Sequence, residues 1–165
     1  MGGYPIARTD CYEYLGILFD DKLSWEPHIS ELCKKLSQIA GVIFKQRSLL
    51  SKEALMAVYH SLVGSSLRNG LICWGTANQN LLQKVNVIHN RIVRYLTFSL
   101  PCSTAWPLHC SLKVLPLDIL IQMEWGILMC KFQNKMWPLA FENYFRKPNH
   151  NNATRFASSL NFEFC

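Results

Sequence analysis

The sequence predicts a mainly α chain: one N-terminal β-strand or hairpin remnant, a helical bundle, and a helical C-terminal extension. Three observations carry this. From Trp25 onward, apolar residues recur three or four positions apart in long segments, which is the helical period. The clearest β-prone run lies before residue 21. Proline residues and an Asn-Gly pair punctuate the segments between.

Tyr12 to Asp20 is rich in aromatic and β-prone residues and reads as one strand, with Gly16 allowing close backbone approach. Residues 1–10 read as disordered or as the remnant of a turn. Ser24 is the expected cap of the first helix, with Glu26 and Pro27 in its first turn. Ile29, Leu32, Leu36, Ile39 and Ile43 give that helix an apolar face, and Lys34, Lys35, Lys45 and Arg47 lie mostly off it. Ser51 caps a second helix whose Leu55, Val58, Leu62 and Val63 are expected to face inward, and Asn69-Gly70 breaks or bends the chain after it. The short run "LICWG" has no assignable type. In the third helix, Leu81, Val85, Ile88, Ile92 and Leu96 keep helical spacing, while Lys84, Arg91 and Arg94 fall together on another face. A loop containing Pro101 and Pro107 is expected next, then a fourth helix from about Pro116 to Lys135, ended by Pro138. The span 148–165 is polar and expected to be a disordered tail.

Half of the 165 residues are hydrophobic and only 17% are charged, with a net charge of +6. The chain can bury a core, and its low charge suggests apolar surface meant for a partner. A basic excess of this size fits contact with phosphate. Seven cysteines at irregular spacing, with no apolar leader before them, point to a reducing intracellular compartment, nucleus or cytoplasm, rather than secretion. The longest apolar run, "LPLDILIQMEWGILMC", contains Asp118 and Glu124, so no membrane-spanning helix is expected.

Chemical motifs are sparse. Asp20-Asp21 is a carboxylate pair, but a two-metal centre needs carboxylates converging from separate strands, and "KLSWEPH" after the pair reads as a turn and a helix start. A strand-end turn or side-chain cap is the expected role. His28 with Cys33, or His109 and Cys110 with Cys102, lack the ligand spacing of a zinc site. No nucleophile elbow and no glycine-rich phosphate loop is present. His60 and His89 are expected on helix surfaces. No catalytic residue, metal site or cofactor is assigned. The exposed cations remain as candidates for tracking a phosphate backbone: Lys34, Lys35, Lys45, Arg47, Lys84, Arg91 and Arg94.

Taken in order, "YLGILFDDKLSWEPHISELCKKLSQIAGVIFKQRSLL", "LMAVYHSLVGSSLRNGLICWG", "LLQKVNVIHNRIVRYLTF", "LKVLPLDILIQMEWGILMCKFQN" and "HNNATRFASSLNF" resemble the C-terminal part of reverse transcriptases of non-LTR retrotransposons, of the LINE, jockey and CR1 type. The resemblance runs from about Cys11 over nearly the whole chain. It implies that Tyr14, Leu15 and Gly16 match a primer-grip motif and that residues 1–24 are a remnant of the palm's edge. Residues 25–100 would be a thumb-like bundle and 101–147 a helical C-terminal extension. The implied partner is RNA or an RNA–DNA template–primer duplex, and the implied magnesium belongs to the full-length enzyme. Fingers, most of the palm, the catalytic Asp-Asp hairpin and the endonuclease of such elements have no counterpart here. Arg68-Asn69 stands where relatives often carry a Tyr before the Gly. A truncated fragment of an RNA-directed DNA polymerase, inactive alone, is therefore expected. The alternatives are a non-catalytic helical nucleic-acid-binding module and a protein-interaction bundle.

Overall fold

The computed structural model describes residues 9–134 and 136, and the backbone of 145–146 and 163–164. Its class is mainly α with an N-terminal hairpin. The chain divides into two compact units, Met1–Glu124 and Trp125–Cys165.

The first unit begins with a hairpin rather than one strand. β1 (Cys11–Tyr14) pairs antiparallel with β2 (Ile17–Asp20), with Tyr14 opposite Ile17 and Cys11 opposite Asp20. The chain reverses at Leu15-Gly16, whose φ values of 52° and 77° are both positive, as a two-residue turn matched to strand twist requires. Glycine meets that condition freely, but Leu15 is not a turn-forming residue, so the β-prone pattern reads straight through the reversal. Ile17 and Phe19 share one face of β2 and pack on the helical core, where Phe19 meets Trp25 edge-on with centroids 5.4 Å apart.

α1 (Glu26–Gln46) buries Ile29, Leu32, Leu36, Ala40 and Ile43 along the expected face. Ser24 was expected to be its cap. Instead Trp25 occupies the cap position in a left-handed conformation with no side-chain cap bond of its own, and Asp20 braces the turn that leads into the helix. Its Oδ2 accepts from the Ser24 N–H at 2.9 Å and its Oδ1 from the Trp25 N–H at 3.0 Å, while Ser24 Oγ accepts from the Glu26 N–H at 3.3 Å.

The second helical stretch changes pitch. α2 (Lys52–Val58), capped by Ser51 Oγ on the Ala54 N–H, runs into a π-helical segment, Tyr59–Gly64, and then α3 (Ser65–Arg68). The wider turn rotates the face. Val63 is fully buried, but Leu62, expected inside, is 44% exposed. Asn69 is extended and Gly70 is left-handed at φ 62°; a Cβ on Gly70 would collide with the Ile17 side chain. The untyped run is a short helix, α4 (Leu71–Trp74), whose Trp74 is wholly buried.

α5 (Gln79–Leu96) follows, and α1 packs chiefly against it. The pair is parallel: Cys33 and Lys84 interact near the two N-terminal ends, and Phe44 and Tyr95 meet near the two C-terminal ends with ring centroids 4.9 Å apart. The expected Pro101–Pro107 loop contains a further helix, α6 (Ala105–Leu112). Pro107 lies in its first turn, where the missing N–H has no intrahelical acceptor to lose. α7 (Leu117–Gln133) replaces the expected fourth helix with slightly tighter bounds. Arg68 Nε and Glu124 Oε1 lie 3.7 Å apart.

In the second unit, β3 (Phe145–Arg146) pairs antiparallel with β4 (Glu163–Phe164). This places two residues of the expected disordered tail in a strand ladder. The rest of that tail, Pro138 and residues 1–8 lie outside the described residues.

Candidate nucleic-acid interface

The parallel seam between α1 and α5 gathers several of the candidate cations. On α5, Lys84, Ile88, Arg91 and Tyr95 recur at four- and three-residue steps and so form one strip. Cys33 and Phe44 place that strip beside α1. Lys34 and Lys45 each follow one of these α1 seam residues, and both are exposed, as are Lys84 and Arg91. α5 contains Lys84, Arg91 and Arg94 and no Asp or Glu. Burial raises the Cys33 thiol pKa, and the nearby Lys84 ammonium partly opposes this.

The remaining candidates are placed differently. Arg94 is half-buried, and its Nε donates to the Ser103 carbonyl at 2.9 Å, tying α5 to the loop before α6. Arg47 is half-buried among rings: its guanidinium carbon lies 4.4 Å from the Phe44 centroid, 5.2 Å from Phe98 and 5.9 Å from Tyr95. Lys35 lines a separate groove of about 490 Å³ with Glu13, Glu31, His28 and Asn69. Two carboxylates there oppose any attraction of phosphate. Gly16 lines the same groove, while Tyr14 and Leu15 are exposed and the Leu15 carbonyl accepts from Asn69 Nδ2 at 3.4 Å.

Asp20 is the better-defined half of the carboxylate pair. The Ser24 N–H, with the Trp25 N–H, holds its carboxyl pKa below the usual value. Asp20→Ala should lower the thermal midpoint by a few degrees, while Asp20→Asn, which keeps one acceptor oxygen for these N–H groups, should lower it less. Differential scanning calorimetry with and without magnesium checks this. A magnesium-dependent rise in midpoint that vanishes in Asp20→Asn would show a metal ligand instead.

Among the described residues, no group of three or more His, Cys, Asp and Glu side chains is arranged to hold a metal ion. His28 and Cys33 face different elements: His28 Nδ1 accepts from the Leu18 N–H at 3.3 Å, whereas Cys33 lies toward Lys84. No described helix is long and apolar enough to cross a membrane.

His89, expected on a surface, is wholly buried. Its Nε2 lies 2.7 Å from the Tyr59 hydroxyl, and its ring is 5.1 Å from that of His109, whose Nε2 is 2.8 Å from Asn90 Oδ1. This polar cluster joins the π-helical segment, α5 and α6. The apolar positions of α5 alone did not reveal it, because His89 falls one residue after Ile88 on the edge of the predicted stripe.

No family model and no solved structure matches the chain. Curated relatives do. The chain is 24% identical over 96 residues to the "Probable RNA-directed DNA polymerase from transposon X-element" of Drosophila melanogaster, covering 56% of this chain and 11% of that protein. It is 28% identical over 100 residues to the "Probable RNA-directed DNA polymerase from transposon BS" of the same species, covering 59% and 11%. It is 27% identical over 101 residues to that species' "RNA-directed DNA polymerase from mobile element jockey", again covering 59% and 11%. The matched stretch thus spans about a tenth of each relative's length. These similarities, in three separate elements, support the identification of this chain as a jockey-like non-LTR retrotransposon reverse-transcriptase region.

Proposed function

We propose that this chain is a template–primer-holding region of such a polymerase, with the α1–α5 seam set against the backbone of an RNA–DNA duplex. The observation that carries it is the strip of α5 bearing Lys84 and Arg91 without a carboxylate, flanked on α1 by exposed Lys34 and Lys45. Phosphate charges repeat along a duplex, and cations spaced along a rigid helix pair can neutralise several at once, releasing condensed counterions. In this reading residues 25–100 act as a thumb-like bundle and 101–147 as its C-terminal extension. Tyr14, Leu15 and Gly16, at the hairpin tip, act as the primer grip. Polymerisation is assigned to magnesium-binding carboxylates outside this chain, since both Asp20 oxygens are engaged by the backbone N–H groups of Ser24 and Trp25. Primer extension by the purified chain with magnesium would overturn that assignment.

The binding test is a titration of blunt RNA–DNA duplex between about 50 and about 200 mM salt, where affinity should fall steeply. Lys84→Glu with Arg91→Glu should weaken binding about tenfold or more and flatten the log–log salt dependence by about two ion equivalents. Affinity that ignores both salt and these substitutions would refute the seam as the duplex face.

A further inference from the structure

We infer that the aromatic cluster where the α1–α5 seam ends, Phe44, Arg47, Tyr95 and Phe98, is a stacking platform for unpaired nucleotides. The inference rests on the nucleic-acid reading above and adds a second kind of ligand to it.

The starting point is a conformational cost. α5 ends in a glycine-type cap: the Phe98 N–H bonds to the Tyr95 carbonyl at 3.4 Å and the Ser99 N–H to the Arg94 carbonyl at 3.0 Å. The residue in the left-handed position of this cap is usually glycine, because a Cβ there is disfavoured. Here it is Phe98, at φ 55°. No burial offsets the strain, for Phe98 is 59% exposed. The cap therefore holds a large ring out at the end of the helix.

That ring has company. Phe44, 48% exposed, lies against Tyr95, and the Arg47 guanidinium sits within cation–π distance of all three rings. Lys45 follows Phe44 in sequence. Phe98 also lines a depression of about 290 Å³ with Lys52, Leu50 and Leu112, whose lining includes no carboxylate. Exposed aromatic faces interleaved with cations suit an unpaired strand, whose bases offer π-faces beside a charged backbone. A duplex buries those faces in its own stack, so it cannot use the platform except at its end.

Position selects the occupant. Tyr95 belongs to the same α5 strip as Lys84 and Arg91, about 16 Å along the helix from Lys84. A duplex held on the strip would direct the strand that continues past its end toward Phe44 and Phe98.

The test compares the full chain binding a blunt RNA–DNA duplex and the same duplex with a single-stranded RNA overhang carrying 2-aminopurine. The overhang should raise affinity about fivefold or more, and 2-aminopurine fluorescence should be quenched on binding. Phe98→Ala should abolish both effects and leave blunt-duplex affinity intact. Phe98→Trp should restore them, and Arg47→Lys, which keeps the charge but not the plane, should lose part of the gain. Equal affinity for blunt and overhanging duplex, or an overhang gain that survives Phe98→Ala, would overturn the platform while leaving the duplex reading standing. Loss of binding to both forms in Phe98→Ala would overturn it too. No binding of either form by the unaltered chain would remove both readings. Self-association that Phe98→Ala abolishes without changing overhang affinity would make the patch a protein contact instead.

Discussion

Acidification from about pH 7 to about pH 4 should destabilise the first unit by on the order of 3 kcal/mol through His89 alone. His89 is wholly buried, and burial, with the neighbouring His109, pushes its pKa from 6.5 down to about 3. Geometry gives the reason. Imidazolium needs an acceptor at both ring nitrogens, and His89 Nε2 has only the Tyr59 hydroxyl while Nδ1 has no partner. Between about pH 6.5 and about 3 the unfolded chain therefore binds a proton that the folded chain refuses, so stability falls as pH drops through that window. Above it the ring is neutral in both states and the term is flat.

Two more histidines act in the same direction. Burial lowers the pKa of His109, with the Val114 backbone and Asp118 opposing and Arg94 assisting. Burial also lowers that of His28, opposed by Glu31. His28 Nδ1 accepts the Leu18 N–H, a bond that a proton on that nitrogen would break. Asp20 adds to the loss at the acid end of that window. Its carboxyl is held below 3.8, so its bonds to the Ser24 and Trp25 N–H groups stop contributing as pH falls through 3.8 and below. Urea unfolding followed by tryptophan fluorescence, repeated at half-unit pH steps, measures the slope. His89→Leu should flatten it below about pH 6.5. At neutral pH the same substitution should cost about 1–3 kcal/mol, because the Tyr59 hydroxyl loses its partner. An unfolding midpoint independent of pH from about 7 to about 4 would show that the cluster is not buried in solution.

The helical period carried most of the fold. Ile29, Leu36, Val85 and Ile92 are core residues because residues three and four apart share a face, and that rule needs no tertiary information. It fails where the pitch changes: across Tyr59–Gly64 a π-helical turn turns Leu62 outward, and nothing in the apolar spacing marks the change. It fails again where a residue's role is set by a distant partner. Leu15 tolerates a turn conformation because Gly16 follows it and Asn69 holds its carbonyl, 54 residues away. The candidate cations divide by the same principle. Lys34, Lys45, Lys84 and Arg91 stay exposed, as their helical positions suggest, but Arg94 meets Ser103 and Arg47 meets three rings through contacts that helical spacing cannot foresee.

Trp74→Ala should cost about 3–5 kcal/mol, a large share of the roughly 5–15 kcal/mol that usually holds a domain folded. Trp74 is the largest fully buried side chain among the described residues, so truncation leaves a cavity that α4, a single turn, is too short to close by itself. Its indole N–H also donates to the Asn69 carbonyl at 2.9 Å, and its ring lies 6.2 Å from that of His28. Both neighbours reach the hairpin: Asn69 through the Leu15 carbonyl and His28 through the Leu18 N–H. Trp74 therefore holds the helical core and the hairpin tip to the same point. Trp74→Phe keeps most of the volume but leaves the Asn69 carbonyl without its donor, so it should cost less, about 1–3 kcal/mol. Denaturant unfolding gives both values, and hydrogen exchange locates the damage. In Trp74→Phe the amide of Leu18 should lose protection well before those of Val85 and Ile92. If hairpin and α5 lose protection together, the hairpin is held by Ile17 and Phe19 packing rather than by Asn69 and His28. If Trp74→Ala costs less than about 1 kcal/mol, the α4 core placement itself is wrong.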